Sequence, residues 1–235
     1  MTHQFHANLN RMAALTALVA VGLILFHDQF LRVATSNNIW LNGVIIGTTL
    51  FGIGLAFVHM FKLLPEYRWL RAYLTGRRNM PLPPVLLRPV AMMLRLRPMR
   101  ISSATLRDMM DTILVRFDDA RESIRYITNT LIFLGLLGTF WGLISTIGGF
   151  ADLIGALDFT DVNAMTTMQT GLAKPLHGMA IAFTGSLMGL GGSLIVGFLG
   201  LQVQLAQNAI FRELEDYLAA HTHVANVPDM TMDEQ

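Results

Sequence analysis

"LGLLGTFWGL", residues 134–143, lies in the middle of a long uncharged stretch. Four leucines and three glycines surround one threonine, Thr139. The run is apolar enough for a lipid interior, yet glycine returns every three or four residues, the spacing of one helix face. Working outward, the uncharged stretch covers residues 126–151. That is long enough to cross a bilayer core, which takes roughly 17–25 residues. With His counted as neutral, three more such runs appear at 12–27, 33–61 and 175–211. The first is short and ends at His27-Asp28 without the small-residue site of a cleaved leader, so it reads as an uncleaved first span. The last is too long for one crossing and should continue past the bilayer as a helix. The expected fold class is an all-α integral membrane protein with four transmembrane helices. Spans three and four should be long and extend into the cytoplasm, with a basic cytoplasmic insert between spans two and three.

Bulk composition agrees. The 235-residue chain is 53% hydrophobic and 14% charged, where a soluble domain carries about a quarter charged residues. It has no cysteine, which excludes disulfides, thiol catalysis and cysteine metal sites together. Thirteen of its seventeen Lys and Arg residues fall between Lys62 and Arg125, whereas 152–173 holds Asp152, Asp158 and Asp161 and no basic residue. The excess of positive charge marks 62–125 as cytoplasmic, and four spans then put both termini inside. Four regions follow: 1–61, an N-terminal hairpin of two spans; 62–104, a basic Pro-rich cytoplasmic segment; 105–220, a core of one cytoplasmic helix plus spans three and four; and 221–235, an acidic disordered tail.

Residues 62–100 carry nine basic residues against one acid, Glu66, with prolines at 65, 81, 83, 84, 89 and 98. That many prolines predicts short helical pieces near the inner leaflet rather than a long helix. Membrane-proximal topology already explains the basic residues, so no nucleic-acid partner is expected. From Thr105, which pairs with Asp108 as a helix cap, the pattern changes. Leu106, Met110, Ile113, Phe117, Ala120, Ile124 and Ile127 recur in alternating steps of four and three, an apolar heptad seam. The mixed-sign pairs Arg107/Asp111, Asp118/Arg121 and Glu122/Arg125 flank it at helical spacing. Nothing breaks this helix before span three. The seam fits packing within the chain and equally packing around an oligomer axis.

Span three contains Gly135, Gly138, Thr139, Gly142, Ser145, Thr146 and Gly149. Span four contains Gly178, Ala182 and Ser186 at steps of four, and beside them Gly185, Gly189, Ser193 and Gly197. Apolar helices in lipid gain little from hydrophobic association, so small residues that let backbones approach are the usual substitute. Two small-residue rows on span four imply more than one helical neighbour. Thr139 lies near mid-bilayer, and Thr184 and Ser186 lie about a third of the way along span four. A hydroxyl at such depth ordinarily donates to its own i−4 carbonyl. Neither span has an acid or base in its core, so a proton relay would need a carboxylate from another chain. His59 and His177 sit at span ends and read as interfacial polar residues. No metal-ligand spacing, phosphate loop or nucleophile–base set occurs, so neither a cofactor nor an enzymatic activity is expected.

"LGLLGTFWGLISTI" (134–147), "GLAKPLHGMAIAFTGSLMGLGGSLIVGFLGLQ" (171–202) and "QNAIFRELEDYL" (207–218) together resemble the MotA/TolQ/ExbB proton-channel family. The resemblance covers roughly residues 105–220. It implies a bacterial inner-membrane subunit, assembled as a homopentamer around two copies of a single-span partner. That partner carries a membrane aspartate and a periplasmic, often peptidoglycan-binding, domain. Proton passage past the aspartate would rotate one component inside the other. The family's partner-facing hydroxyls match Thr139 and Thr184, with Ser186 the alternative, and Ser145 and Thr146 extend that set along span three. Members close to TolQ and ExbB carry a glutamate about where Met179 stands here, and a later proline that 190–200 lacks. The four-span count resembles the MotA arrangement more closely. Two other functions compete: a membrane scaffold without conduction, and a self-sufficient transporter, which the lack of an inverted repeat or buried charge disfavours.

Overall fold

The computed structural model describes residues 2–25, 28, 39–75, 85–88, 91–92, 103–157 and 164–220. Among them there is no strand. Five helices follow in order: α1 (Thr2–Leu25), α2 (Ile39–Leu74), α3 (Ser103–Ala156), α4 (Ala164–Gly171) and α5 (Ala173–Ala220). The apolar runs at 33–61, 126–151 and 175–211 become parts of helices far longer than the runs themselves. Three stretches, Ile39–Leu74, Arg107–Ala156 and Ala164–Leu218, are long and apolar enough to cross a membrane. The protein is therefore a multi-pass membrane protein. α1 is not among the three. Its N-terminal half carries Asn8, Asn10 and Arg11, and the uncharged part from Met12 to Leu25 is only fourteen residues.

The chain divides into two compact units, each drawing on the same long helices. One comprises Leu9–Phe57 and Ser123–Gln202 and is the glycine-rich, apolar unit. The other comprises Met1–Asn8, Val58–Glu122 and Val203–Gln235 and holds most of the charge. Both are helix-on-helix structures.

In the charged unit the heptad seam is buried within this one chain. Met110, Ile113 and Phe117 are each at most 7% exposed. They face a matching row on α5, where Val203, Ala206, Ile210, Leu214 and Leu218 are almost fully buried. Of the two packings the seam allows, the intrachain one is occupied. Polar contacts join the two rows: Arg121 donates through Nε to Gln207 at 3.1 Å, through Nη2 to Asn208, and through Nη1 to Asp118 at 3.3 Å. α3 starts at Ser103, and the Thr105 side chain, like that of Leu106, lies outside the described residues.

Pro65 does not break its helix. α2 runs through it without ending and continues to Leu74. An interior proline removes one backbone hydrogen bond and costs about 3 kcal/mol. Leu63, Glu66, Trp69 and Leu70, all nearly inaccessible, bury enough surface around it to hold the helix. The prolines at 81, 83, 84, 89 and 98, the 221–235 tail, Asp158 and Asp161 lie outside the described residues.

Beyond Phe61, where its apolar run gives way to Lys62, α2 presents Glu66, 2% exposed. Its Oε1 accepts from the Leu86 amide at 2.8 Å and its Oε2 from the Leu87 amide at 3.1 Å.

Candidate functional site

The α3–α5 hairpin of the apolar unit is built backbone on backbone. A methyl placed on Gly135 would stand 3.1 Å from Gly189 Cα, and one on Gly138 would stand 3.0 Å from Gly185 Cα. On Gly142 it would lie 2.6 Å from Ala182 Cα, and on Gly149 2.9 Å from Pro175 N. A methyl on Gly178 would meet Thr146 N and Oγ1 at 2.6 Å. The pairs 135/189, 138/185, 142/182, 146/178 and 149/175 form one antiparallel register. Steps mix three and four because two helices in long contact keep a seam of about 3.5 residues per turn. Steps of four would drift about 40° each, since each residue turns the helix by about 100°.

The row Gly178–Ala182–Ser186 meets α3 closely at its first two members, whereas Ser186 meets it through its backbone O, 3.4 Å from a methyl on Gly135, and the closest approach passes to Gly185 and Gly189. Gly197 also meets α3, but less tightly: its added methyl would stand at an ordinary contact distance, 3.7 Å, from Thr128 Cγ2. The second neighbour of α5 is α2, which touches it at Gly192 against Thr49 and at Val196 against Gly52.

The hydroxyls then sort by position. Thr146 is 6% exposed inside the hairpin, where Oγ1 donates to Gly142 O at 2.8 Å and lies 3.4 Å from Pro175 O. The family resemblance puts it on a partner-facing surface; the seam instead seals it, because it sits opposite Gly178. Ser193 is buried likewise and donates to Leu190 O at 2.8 Å. Thr139 is half-exposed and donates to Leu136 O at 2.6 Å, an i−3 rather than an i−4 contact. With its proton engaged, its lone pairs still accept.

Helical rotation places Thr139 and Ser186 on one flank of the hairpin. α2 covers the other flank: Leu41 reaches within 3.3 Å of a methyl on Gly138, and Ile127 and Val196 pack on Gly52. Thr128 and Gly197 each follow such a residue by one step, about 100°, and they meet each other on the uncovered side. Thr139 lies three turns after Thr128, and Ser186 lies three turns before Gly197. They share that side, and the 138/185 pairing sets them at one level. Thr184 is about 200° from Ser186 and therefore on the other side. Ser145, two turns beyond Gly138, belongs to the α2-side edge of the seam. Around Thr139 and Ser186 the flank is apolar and open, with Leu136, Leu143, Phe183 and Leu190 at 62%, 54%, 71% and 49% exposure.

At the hairpin's end Lys174 pairs with Asp152, both exposed, which contributes at most about 1 kcal/mol. No group of three His, Cys, Asp or Glu residues that could hold a metal occurs among the described residues. The Thr146–Gly178 fit and the use of Gly52 and Gly192 against α2 are not anticipated by the sequence reading. The three-and-four steps of 142, 146 and 149 are the available signal for the first. The chain matches no family model, and neither a curated protein nor a solved structure is significantly similar to it.

Proposed function

We propose that this chain is the proton-channel subunit of an ion-driven motor in the bacterial inner membrane. In this reading α1 supplies a fourth span, the 62–125 segment is cytoplasmic, and both termini lie inside. Five copies form a ring around a single-span partner that brings a membrane aspartate and a periplasmic domain. Proton-motive force is converted into movement of one component against the other.

The observation that carries the reading is the pair Thr139 and Ser186, level with each other on a hairpin flank that α2 leaves open. Two features support it. The hairpin core is packed backbone to backbone, so a path for protons runs along its surface rather than through it. Neither span owns an ionisable group in its core, so the group that carries the proton comes from elsewhere. A protonated partner carboxyl approaching the flank would donate to Thr139 Oγ1, whose own proton is held by Leu136 O. Once ionised, the carboxylate would draw the Thr139 and Ser186 protons toward itself, which stabilises the charge where they stand. Each proton crossing 100 mV releases about 2.3 kcal/mol to drive the cycle.

Proton uptake into vesicles carrying the native assembly tests this. Thr139→Ala and Ser186→Ala should each cut uptake about tenfold, the loss of one charge-assisted hydrogen bond worth about 1.4 kcal/mol, with subunit composition unchanged. Thr184→Ala should leave it within about twofold. Undiminished uptake in both of the first two variants would overturn the reading in favour of a scaffold that does not conduct.

A further inference from the structure

The charged unit holds a feature that ion conduction does not use. Glu66 is the sole acid among nine basic residues in 62–100, and a lone acid in such company would ordinarily pair with a guanidinium. It is spent on the backbone instead. The amides of Leu86 and Leu87 donate to it at 2.8 and 3.1 Å. Arg116 closes the arrangement from α3 by donating to Val85 O at 3.2 Å. Just beyond, the Ala91 amide donates to Leu87 O at 2.9 Å.

The clasp fixes which side chains of that segment are hidden. Leu87 and Ala91 are 0% and 2% exposed, whereas Val85 and Met92 are 79% and 56% exposed, and Arg88 is exposed with them. Val85, Arg88 and Met92 are thus the exposed side chains of the clasped segment. An arginine between two exposed apolar side chains suits an interface in which phosphate meets hydrocarbon. Depth agrees. Glu66 is five residues past the last apolar residue of α2's uncharged run, Phe61, about 7.5 Å along the helix axis. The headgroup layer on each side of a bilayer is about 5–8 Å thick. Glu66 is the one acid of 62–100 and the clasp engages it, so Arg88 has no acid of its own segment to pair with.

We propose that Val85, Arg88 and Met92 form a contact for the phosphate groups of anionic inner-leaflet lipids, and that Glu66 holds it at headgroup depth. The proposal rests on the multi-pass reading and the inward placement of 62–125, and needs neither a partner nor ion flux. Because the chain has no cysteine, Val85→Cys gives a unique spin-label site. The full-length labelled chain is reconstituted in vesicles of phosphatidylcholine, with or without phosphatidylglycerol, and the label's accessibility to a water-soluble relaxation agent is measured. Anionic vesicles should reduce accessibility about fivefold, the factor one basic side chain gives at such a surface, and salt should reverse the effect. Arg88→Gln should abolish the lipid difference while leaving label mobility in neutral vesicles unchanged. Glu66→Gln should raise mobility in both vesicles and abolish the difference too. Equal accessibility in the two lipids would overturn the contact, and a lipid difference that survives Glu66→Gln would overturn the clasp. Neither outcome touches proton uptake, so this proposal and the motor reading fail separately.

Discussion

The same two helices, α3 and α5, pack in opposite ways in the two units. In the apolar unit they meet through glycine, with Gly135 against Gly189 and Gly142 against Ala182, and their large side chains point outward. In the charged unit they meet through bulk: Phe117, Ile113, Ile210 and Leu214 fill the seam, and Arg121 reaches across it to Gln207 and Asn208. The solvent accounts for the difference. In water, burying a large apolar side chain is itself favourable by about 1.5–3 kcal/mol, so bulk goes inside. Lipid tails are as apolar as leucine, so burial there gains little, and what binds helices is the close contact that only small residues allow. One pair of helices thus changes its packing rule along its length.

That contrast can be broken from either side. Gly142→Leu should have the largest effect. Its added Cβ would stand 2.6 Å from Ala182 Cα, a collision with backbone that no rotamer relieves, so the hairpin must separate. We expect a loss of about 3 kcal/mol or more, at the top of the overpacking range, read as failure to recover folded protein in detergent. Phe117→Ala should follow, at about 3–4 kcal/mol by thermal unfolding, because a fully buried aromatic leaves a cavity. The equivalent truncation of Phe183, 71% exposed in the apolar unit, should cost much less. Gly197→Ala should have the smallest effect and the opposite sign. The site has room for a methyl and alanine favours helix, so stability should rise by up to about 1 kcal/mol. A large loss at Gly197 would mean that it belongs to a close-packed face after all.

Much of this architecture is legible in residue spacing. The three apolar runs, the unbroken passage from the heptad seam into span three, and the glycine faces all follow from periodicity, because burial and close approach leave a period of three and four. What periodicity does not carry is which of several small residues a seam selects. Gly178, Ala182 and Ser186 look like one row, but the 3.5-residue seam meets Ser186 only through its backbone and makes its close approach at Gly185. Thr146 and Thr139 look alike in sequence; one is sealed against Gly178 and the other stands on an open flank. Choosing between Thr184 and Ser186 needs the position of α2, a third helix that neither residue's neighbours disclose. Pro65 escapes the rule for proline because tertiary packing outweighs a local penalty. Glu66 stands out in sequence as a lone acid, but its partners are backbone amides twenty residues away, and backbone donors leave no mark in composition.

Whether the open flank bearing Thr139 and Ser186 receives a carboxylate from another chain is the question on which the proposed function turns. Mild-detergent isolation of the protein from its native membrane, followed by intact-mass measurement of the complex, tests it most directly. We predict several copies of this chain, five in the arrangement proposed, together with a smaller single-span protein whose membrane segment contains an aspartate. Recovery of the chain alone, as a monomer or a homo-oligomer without any second polypeptide, would contradict that prediction.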